Sequence, residues 1–328
     1  MSAPLPVVLL TGFLGSGKTT LLARLLADPS LGDTAVLINE FGAVGLDHHL
    51  LGRIDETTVL LKSGCLCCTL RGELADAVRA LLGRRDRGEV APFARLVIET
   101  TGLADPLPVL ATLASDPVLR HHVRCAAVVT TVDAVNGPGH LALHPESLAQ
   151  AAAADRVVLT KTDLCDAAGI AAAEAAVRAV NPDAPVIDAA GPWQPAAVLA
   201  PRQALARHAG LRCVPAAAHG VPASSLALTV EGTLDWTLFG LWLTMLLHRH
   251  GAVVLRVKGV LNVAGSDTPV AIHGVGPLVH PPDHLAAWPD GDRHSRLVFV
   301  TRGLDPEAIH RSLEAFGLLP ANRLERAG

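Results

Sequence analysis

The chain has 328 residues, half of them hydrophobic, with 27 Lys and Arg against 31 Asp and Glu for a net charge of −4. That length suggests two domains with a core each, and that hydrophobic share excludes a disordered chain. No window gathers the basic residues into a stripe, which excludes nucleic acid as a main partner.

Taken in chain order, the opening MSAPLPVVLLTGF has no basic region and leads straight into a glycine motif, so it does not read as a signal peptide. Apolar, β-branched runs then alternate with helical patterns over the first 190 residues. Strands are expected at 7–11, 34–39, 58–61, 95–99, 126–132, 156–160 and 185–188, with helices such as 21–27, 73–82 and 167–180 between them. This alternation predicts a mostly parallel sheet with flanking crossover helices. Residues 191–222, rich in Pro, Ala and His, read as a linker. From 223 to 328 a strand, a helix over 234–249, strands at 253–263, 269–273 and 296–301 and a last helix over 306–316 predict a smaller α+β domain. The longest apolar run, 236–247, falls short of the ~20 residues that a membrane span needs. The expectation is a cytoplasmic protein with reduced thiols and no membrane partner, in which clustered cysteines bind metal more often than they form disulfides.

The glycine motif is GFLGSGKTT, with Gly12, Gly15, Ser16, Gly17, Lys18, Thr19 and Thr20 between an apolar strand and an apolar helix. This is a P-loop in its proper context: backbone N–H groups turn toward phosphate oxygens, Lys18 reaches the outer phosphates and Thr19 offers a hydroxyl to Mg²⁺. Only four lysines, Lys18, Lys62, Lys161 and Lys258, stand among the 27 basic residues, so a surviving ammonium is informative. In RLVIETTGLADP, Glu99 closes a strand where a carboxylate holds a Mg²⁺-bound water, and the amide of Gly102 is placed to sense a γ-phosphate. In VVLTKTDL, Asp163 accepts from the N1–H and 2-amino groups of guanine, favouring GTP over ATP; Thr160 and Lys161 precede it, Thr160 standing where the usual motif has Asn. Asn181 and Pro182 either shape the far side of the base pocket or make a simple turn. The loop LINEFGAVGLDHHLL carries Glu40, which suits Mg²⁺, an attacking water or a transported metal, together with Asp47 and the solvated pair His48 and His49.

Residues 62–70, KSGCLCCTL, hold three of the six cysteines. A structural zinc site is closed by four protein ligands, commonly two spaced pairs, but Cys125, Cys165 and Cys213 are isolated. Cys65, Cys67 and Cys68, with a fourth place for Glu40, His or water, read as a site from which metal can leave; redox and inert roles are the alternatives. His248, Arg249 and His250, with the more distant His273 and His280, suit a metal route less well than ordinary solvated or packed positions.

The ordered motifs GFLGSGKTT, NEFGAVGLD, GCLCC, ETTGLADP and TKTD, followed by LRVKGVLNV, HGVGPLVHPP and RLVFVTRGLD, resemble the CobW-type family of P-loop GTPases over nearly the whole chain. The resemblance implies a P-loop NTPase α/β domain over 1–190 and a CobW-type α+β domain over 223–328. It implies a GTP-dependent metal chaperone with Glu40, Glu99 and Lys18 as catalytic residues. Mg²⁺ would be served by Thr19 and Glu99, and zinc, with cobalt as the other candidate, by the cysteines and Glu40. The partner implied is a client metalloprotein, and a homodimer is compatible with it. Competing readings are a metal sensor or buffer that hands nothing on and a small-molecule kinase. The thiols lie between 40–47 and 99–105, two segments of the kind that order around GTP and relax on hydrolysis. Swinging a site from 1:99 to 99:1 would take about 5.5 kcal/mol of differential binding. Leu103 follows Gly102 where small signalling GTPases have Gln, so unassisted turnover is expected at about 10⁻² s⁻¹ or below.

Overall fold

A computed structural model describes residues 3–41, 58–63, 69–202, 212–214, 223–289 and 291–318. The chain divides into two compact units, Met1–Gln203 and Ala204–Gly328.

The first unit contains β1 (Leu5–Gly12), α1 (Lys18–Leu26), β2 (Thr34–Phe41), β3 (Thr58–Ser63), α2 (Thr69–Asp86), β4 (Arg95–Glu99), α3 (Pro106–Ser115), α4 (Leu119–His122), β5 (Val123–Asp133), α5 (Gly137–Leu143), α6 (Pro145–Ala153), β6 (Arg156–Thr160), α7 (Ala167–Val180), β7 (Val186–Asp188) and α8 (Pro195–Val198). Among the described residues its seven strands run in the order β3-β2-β4-β1-β5-β6-β7, and every pairing is parallel. β1 and β5 are almost wholly buried, as continuous apolar runs should be when helices cover both faces of a parallel sheet. One core cluster joins Val8 and Leu10 of β1, Leu21, Leu22 and Leu25 of α1, Val36, Val97, Val129 and Val158. The register sets Leu10 beside Glu99, Gly12 beside Thr131 and Asp133 beside Thr160. Segments far apart in sequence therefore end along one edge, on either side of β1, where ligands bind in open α/β sheets.

The second unit contains β8 (Arg212–Val214), β9 (Ser224–Val230), α9 (Trp236–His250), β10 (Val254–Leu261), β11 (Val270–Val275), β12 (Leu278–Val279), β13 (Asp283–His284), β14 (Ser295–Thr301) and α10 (Pro306–Ala315). The strand order is β12-β11-β10-β14-β9-β8, all antiparallel, with β13 added to β11. Alternate residues, among them Leu226, Leu228, Val257, Leu261, Leu297 and Phe299, pack with both helices in one core. At its centre the Trp242 ring meets Phe299 edge-on at 5.9 Å and its Nε1–H donates to Ser312 Oγ at 3.0 Å. Asp235 starts α9 by accepting from Leu238 N, the capping that a helix N-terminus requires.

Both units have the architectures expected from the sequence. Two differences concern local signals. The stretch expected to be a linker contains α8 and β8, because a three-residue strand shows no periodicity and is held by its pairing with β9. α2 extends four residues beyond the expected 73–82 at each end; its last turn carries Arg84 and Arg85, which break the apolar period but suit the negative end of the helix dipole.

Candidate nucleotide site

The P-loop joins β1 to α1. Gly12 has φ 145°, and a Cβ there would lie 2.2 Å from Thr131 Oγ1 and 2.5 Å from the Thr131 carbonyl oxygen, so no side chain fits. Ser16 is buried and shares a 2.6 Å hydrogen bond with Thr131 Oγ1, which ties the loop to β5. Gly15 and Gly17 both adopt positive φ, and Gly17 opens α1. Lys18 Nζ donates to the carbonyls of Gly12 and Phe13 at 2.9 and 3.2 Å, closing the loop around its own ammonium. Thr20 stands exposed in the first turn of α1.

Thr19 and Glu99, expected to serve Mg²⁺, do come together: Thr19 Oγ1 donates to Glu99 Oε1 at 2.8 Å, and Glu99 is buried. A hydroxyl and a carboxylate converging beside a phosphate-binding loop fit the oxygen-seeking magnesium ion. After Glu99 the chain crosses the P-loop. Thr100 N donates to the Leu10 carbonyl at 2.9 Å, and a Cβ on Gly102 would lie 2.7 Å from both Cα and N of Leu14. The sequence reading missed what holds this loop. Gln150 of α6, fully buried, donates to the carbonyls of Gly102 and Ala104 at 3.1 and 2.9 Å. A lone amide in the Ala-rich helix SLAQAAAA was the available signal.

At the base end, Thr160 Oγ1 donates to the Ser16 carbonyl at 2.8 Å, so the residue replacing Asn fastens β6 to the P-loop. Lys161 is the one non-glycine residue at positive φ (57°) among the described residues, and its Nζ bonds Asp133 Oδ2 at 2.6 Å. Burial pushes the Asp133 carboxyl up, but hydrogen bonds from Lys161, from the Asn136 side chain and from the backbone N–H groups of Asn136 and Val135 outweigh it, leaving its pKa below the ordinary value. Asp163 is exposed in the one-turn 3₁₀ helix that follows. Beside it lies an unforeseen element, the loop 188–191: Asp188 Oδ1 accepts from Thr162 Oγ1 and from Ala190 N, and Ala189 N donates to the Leu159 carbonyl at 2.8 Å. Arg24 donates to the Ala189 carbonyl and stacks 4.8 Å over Trp193. Asn181 is a packing residue: its buried amide bonds the carbonyls of Ala151, Ala152 and Ala154, and its Oδ1 accepts from Ala184 N.

Glu40 lies in β2 with its backbone in register with Lys62 of β3. Its side chain, Asp47, His48, His49 and the three clustered cysteines Cys65, Cys67 and Cys68 lie outside the described residues. Among the described residues no three His, Cys, Asp or Glu side chains gather around one point. In the second unit His248 and His280 line one groove of about 470 Å³ with Trp236, Phe239 and Leu243, whereas His273 alternates with Ile272 of that groove and faces the other side of the sheet. No helix among the described residues is long and apolar enough to cross a membrane.

A glycine loop between strand and helix, a Thr–Glu pair at its mouth and a base motif tied to the loop's backbone define a P-loop nucleotide-binding domain, here followed by an antiparallel α+β domain. The chain belongs to the CobW/HypB/UreG family: residues 6–188 match its nucleotide-binding domain, and residues 223–317 match the cobalamin synthesis protein CobW C-terminal domain. It is 32% identical to the zinc chaperone YjiA of Escherichia coli (strain K12), over 93% of this chain and 96% of that protein. It is 30% identical to the zinc chaperone CobW of Pseudomonas aeruginosa, over 95% of this chain and 91% of that protein. The crystal structure of Zn(II)-bound YjiA GTPase from E. coli superposes with a TM-score of 0.73 at 27% identity, covering 96% of this chain and 99% of that one.

Proposed function

We propose that this protein is a cytoplasmic GTPase that binds zinc through Cys65, Cys67 and Cys68 and delivers it to a client metalloprotein. The observation that carries the reading is the meeting of Gly102 with the P-loop at Leu14, beside the Thr19–Glu99 pair. A loop resting there is displaced or ordered according to whether a γ-phosphate is present. The resemblance to proteins named zinc chaperones over nearly the whole chain supplies the cargo. Thr19 and Glu99 would hold Mg²⁺, which neutralises charge on the phosphates when bound. Lys18 and the loop N–H groups bind those phosphates, and Asp163 selects guanine. Leu103 after Gly102 offers no group to orient water, so turnover without a partner is slow, at about 10⁻² s⁻¹ or below.

Zinc competition titrations with a non-hydrolysable GTP analogue, with GDP and without nucleotide test the coupling. The expected result is a zinc affinity that differs between GTP analogue and GDP in the parent chain and loses that difference in Cys67→Ser. Equal affinities in all three states would leave a simple metal buffer. Free phosphate should match GTP consumed, whereas a kinase would place the phosphoryl group on a small molecule.

A further inference from the structure

We propose that His140 and His144 form a second metal site, for a borderline divalent ion such as zinc or cobalt, seated against the P-loop and separate from the clustered cysteines. His144 N donates to the His140 carbonyl at 2.9 Å, continuing the helical bonding of α5, so the two side chains lie one turn apart on one face. Their ring centroids are 5.7 Å apart. Two imidazoles sharing one tetrahedral ion, with Zn–N bonds of ~2.0–2.1 Å, place their centroids ~5 Å apart, so the spacing of the pair is within about 1 Å of a chelating one.

The pair is preorganised. α5 is pressed onto the end of β5 at Gly137, where a Cβ would lie 2.5 Å from Val132 Cγ1, and Leu141 anchors it in the core. Both rings lean on Phe13, with centroids 4.7 Å away for His140 and 4.6 Å for His144. This apolar floor restricts the rings while both histidines stay partly exposed. Asp133, the nearby carboxylate, spends its oxygens on Lys161, Asn136 and Val135, so among the described residues the site has two protein ligands, with water for the remaining positions. Such a site exchanges its ion readily.

Phe13 couples the site to nucleotide. Its carbonyl accepts from Ser16 N at 3.1 Å and from Lys18 Nζ at 3.2 Å, so an ion that fixes the two rings also fixes the loop in its closed form. Rigidifying the phosphate loop in advance favours nucleotide binding, and by linkage nucleotide favours the ion by the same factor. The loop contacts phosphates common to both nucleotides, so GDP and GTP gain alike. This rests on the nucleotide-binding reading but not on the cysteines.

The test uses the full chain with Cys65, Cys67 and Cys68 all changed to Ser, titrated with cobalt(II) by visible absorption and with zinc by competition. One ion per chain is expected, with affinity falling at least tenfold in His140→Asn and in His144→Phe. The latter keeps a ring on Phe13 and so preserves the fold, which thermal unfolding checks. Zinc should raise GDP and GTP-analogue affinity equally, by at least threefold, and the gain should vanish in His144→Phe. Absence of binding in the chain without the three clustered cysteines, or binding indifferent to both histidine changes, would overturn the site. Nucleotide affinities unmoved by zinc would overturn its coupling to the P-loop. Zinc coupling through the cysteines is read in the parent chain, so failure of either idea leaves the other standing.

Discussion

Gln150 holds Gly102 from behind. Its amide, contributed by α6, donates to the Gly102 carbonyl at 3.1 Å while the glycine's front rests on Leu14 of the P-loop. The loop that follows Glu99 is thus clamped on one side and free to meet a nucleotide on the other. Replacing Gln150 with Ala should cost about 1–3 kcal/mol, because buried carbonyls lose their donors. It should also narrow the preference for a GTP analogue over GDP, since a loosened loop no longer holds Gly102 ready. Gln150→Glu should be worse, because a carboxylate sets acceptors against acceptors. Thermal unfolding and paired nucleotide titrations check this, and an unchanged GTP-to-GDP ratio in Gln150→Ala would remove the clamp from the mechanism.

The two halves of the base motif should separate by mutation. Thr160→Val removes the bond to the Ser16 carbonyl at nearly constant shape, so all nucleotides should weaken together, by about tenfold for ~1.4 kcal/mol. Asp163→Asn changes the acceptor proposed to read the guanine edge into a donor. Guanine nucleotides should lose at least about a hundredfold, with xanthine nucleotides, which present an oxygen there, gaining in relative terms. If Thr160→Val altered the GTP-to-ATP ratio, or Asp163→Asn left it alone, these roles would be misassigned.

β4, β6 and α7 have the expected boundaries because strands buried on both faces and an Ala-rich amphipathic helix leave unbroken apolar patterns. The P-loop is legible because its chemistry is packed into a few adjacent residues. Gln150, Asp133 and Asp188 were not, since each acts through a partner 26 to 48 residues away and sits in an unremarkable local sequence. Thr160 departs from the usual Asn, yet its hydroxyl ties β6 to the P-loop backbone, a task for which a short side chain suffices.

The isolated cysteine Cys125 should be silent chemically. Burial pushes its thiol up to about 11, and it is the Ala127 carbonyl, 3.8 Å away, that faces the sulfur. At about pH 8 only on the order of one part in a thousand is thiolate, the reactive form. Native protein and Cys125→Ser should therefore give the same count of rapidly labelled thiols. In denaturant the counts should differ by one. Rapid native labelling at Cys125 would show that β5 opens far more readily than a central strand should.

Acid should release the tether on Lys161. The Asp133 carboxyl is held below its ordinary pKa, so the folded state binds its proton less readily than the unfolded chain does. Stability from this group is therefore complete above the ordinary carboxylate range and is lost as pH falls through the folded value. Asp133→Asn lacks that contribution while retaining an oxygen for Val135 N and Asn136 N. The variant should be less stable than the parent near neutrality, and the gap should close progressively over the acid part of a series from about pH 7 to pH 3. Denaturant midpoints across that series measure it. A gap that stayed constant would mean that Asp133 stabilises the fold by shape and hydrogen bonding alone. A closing gap assigns the difference to its charge, and with it to the ion pair with Lys161.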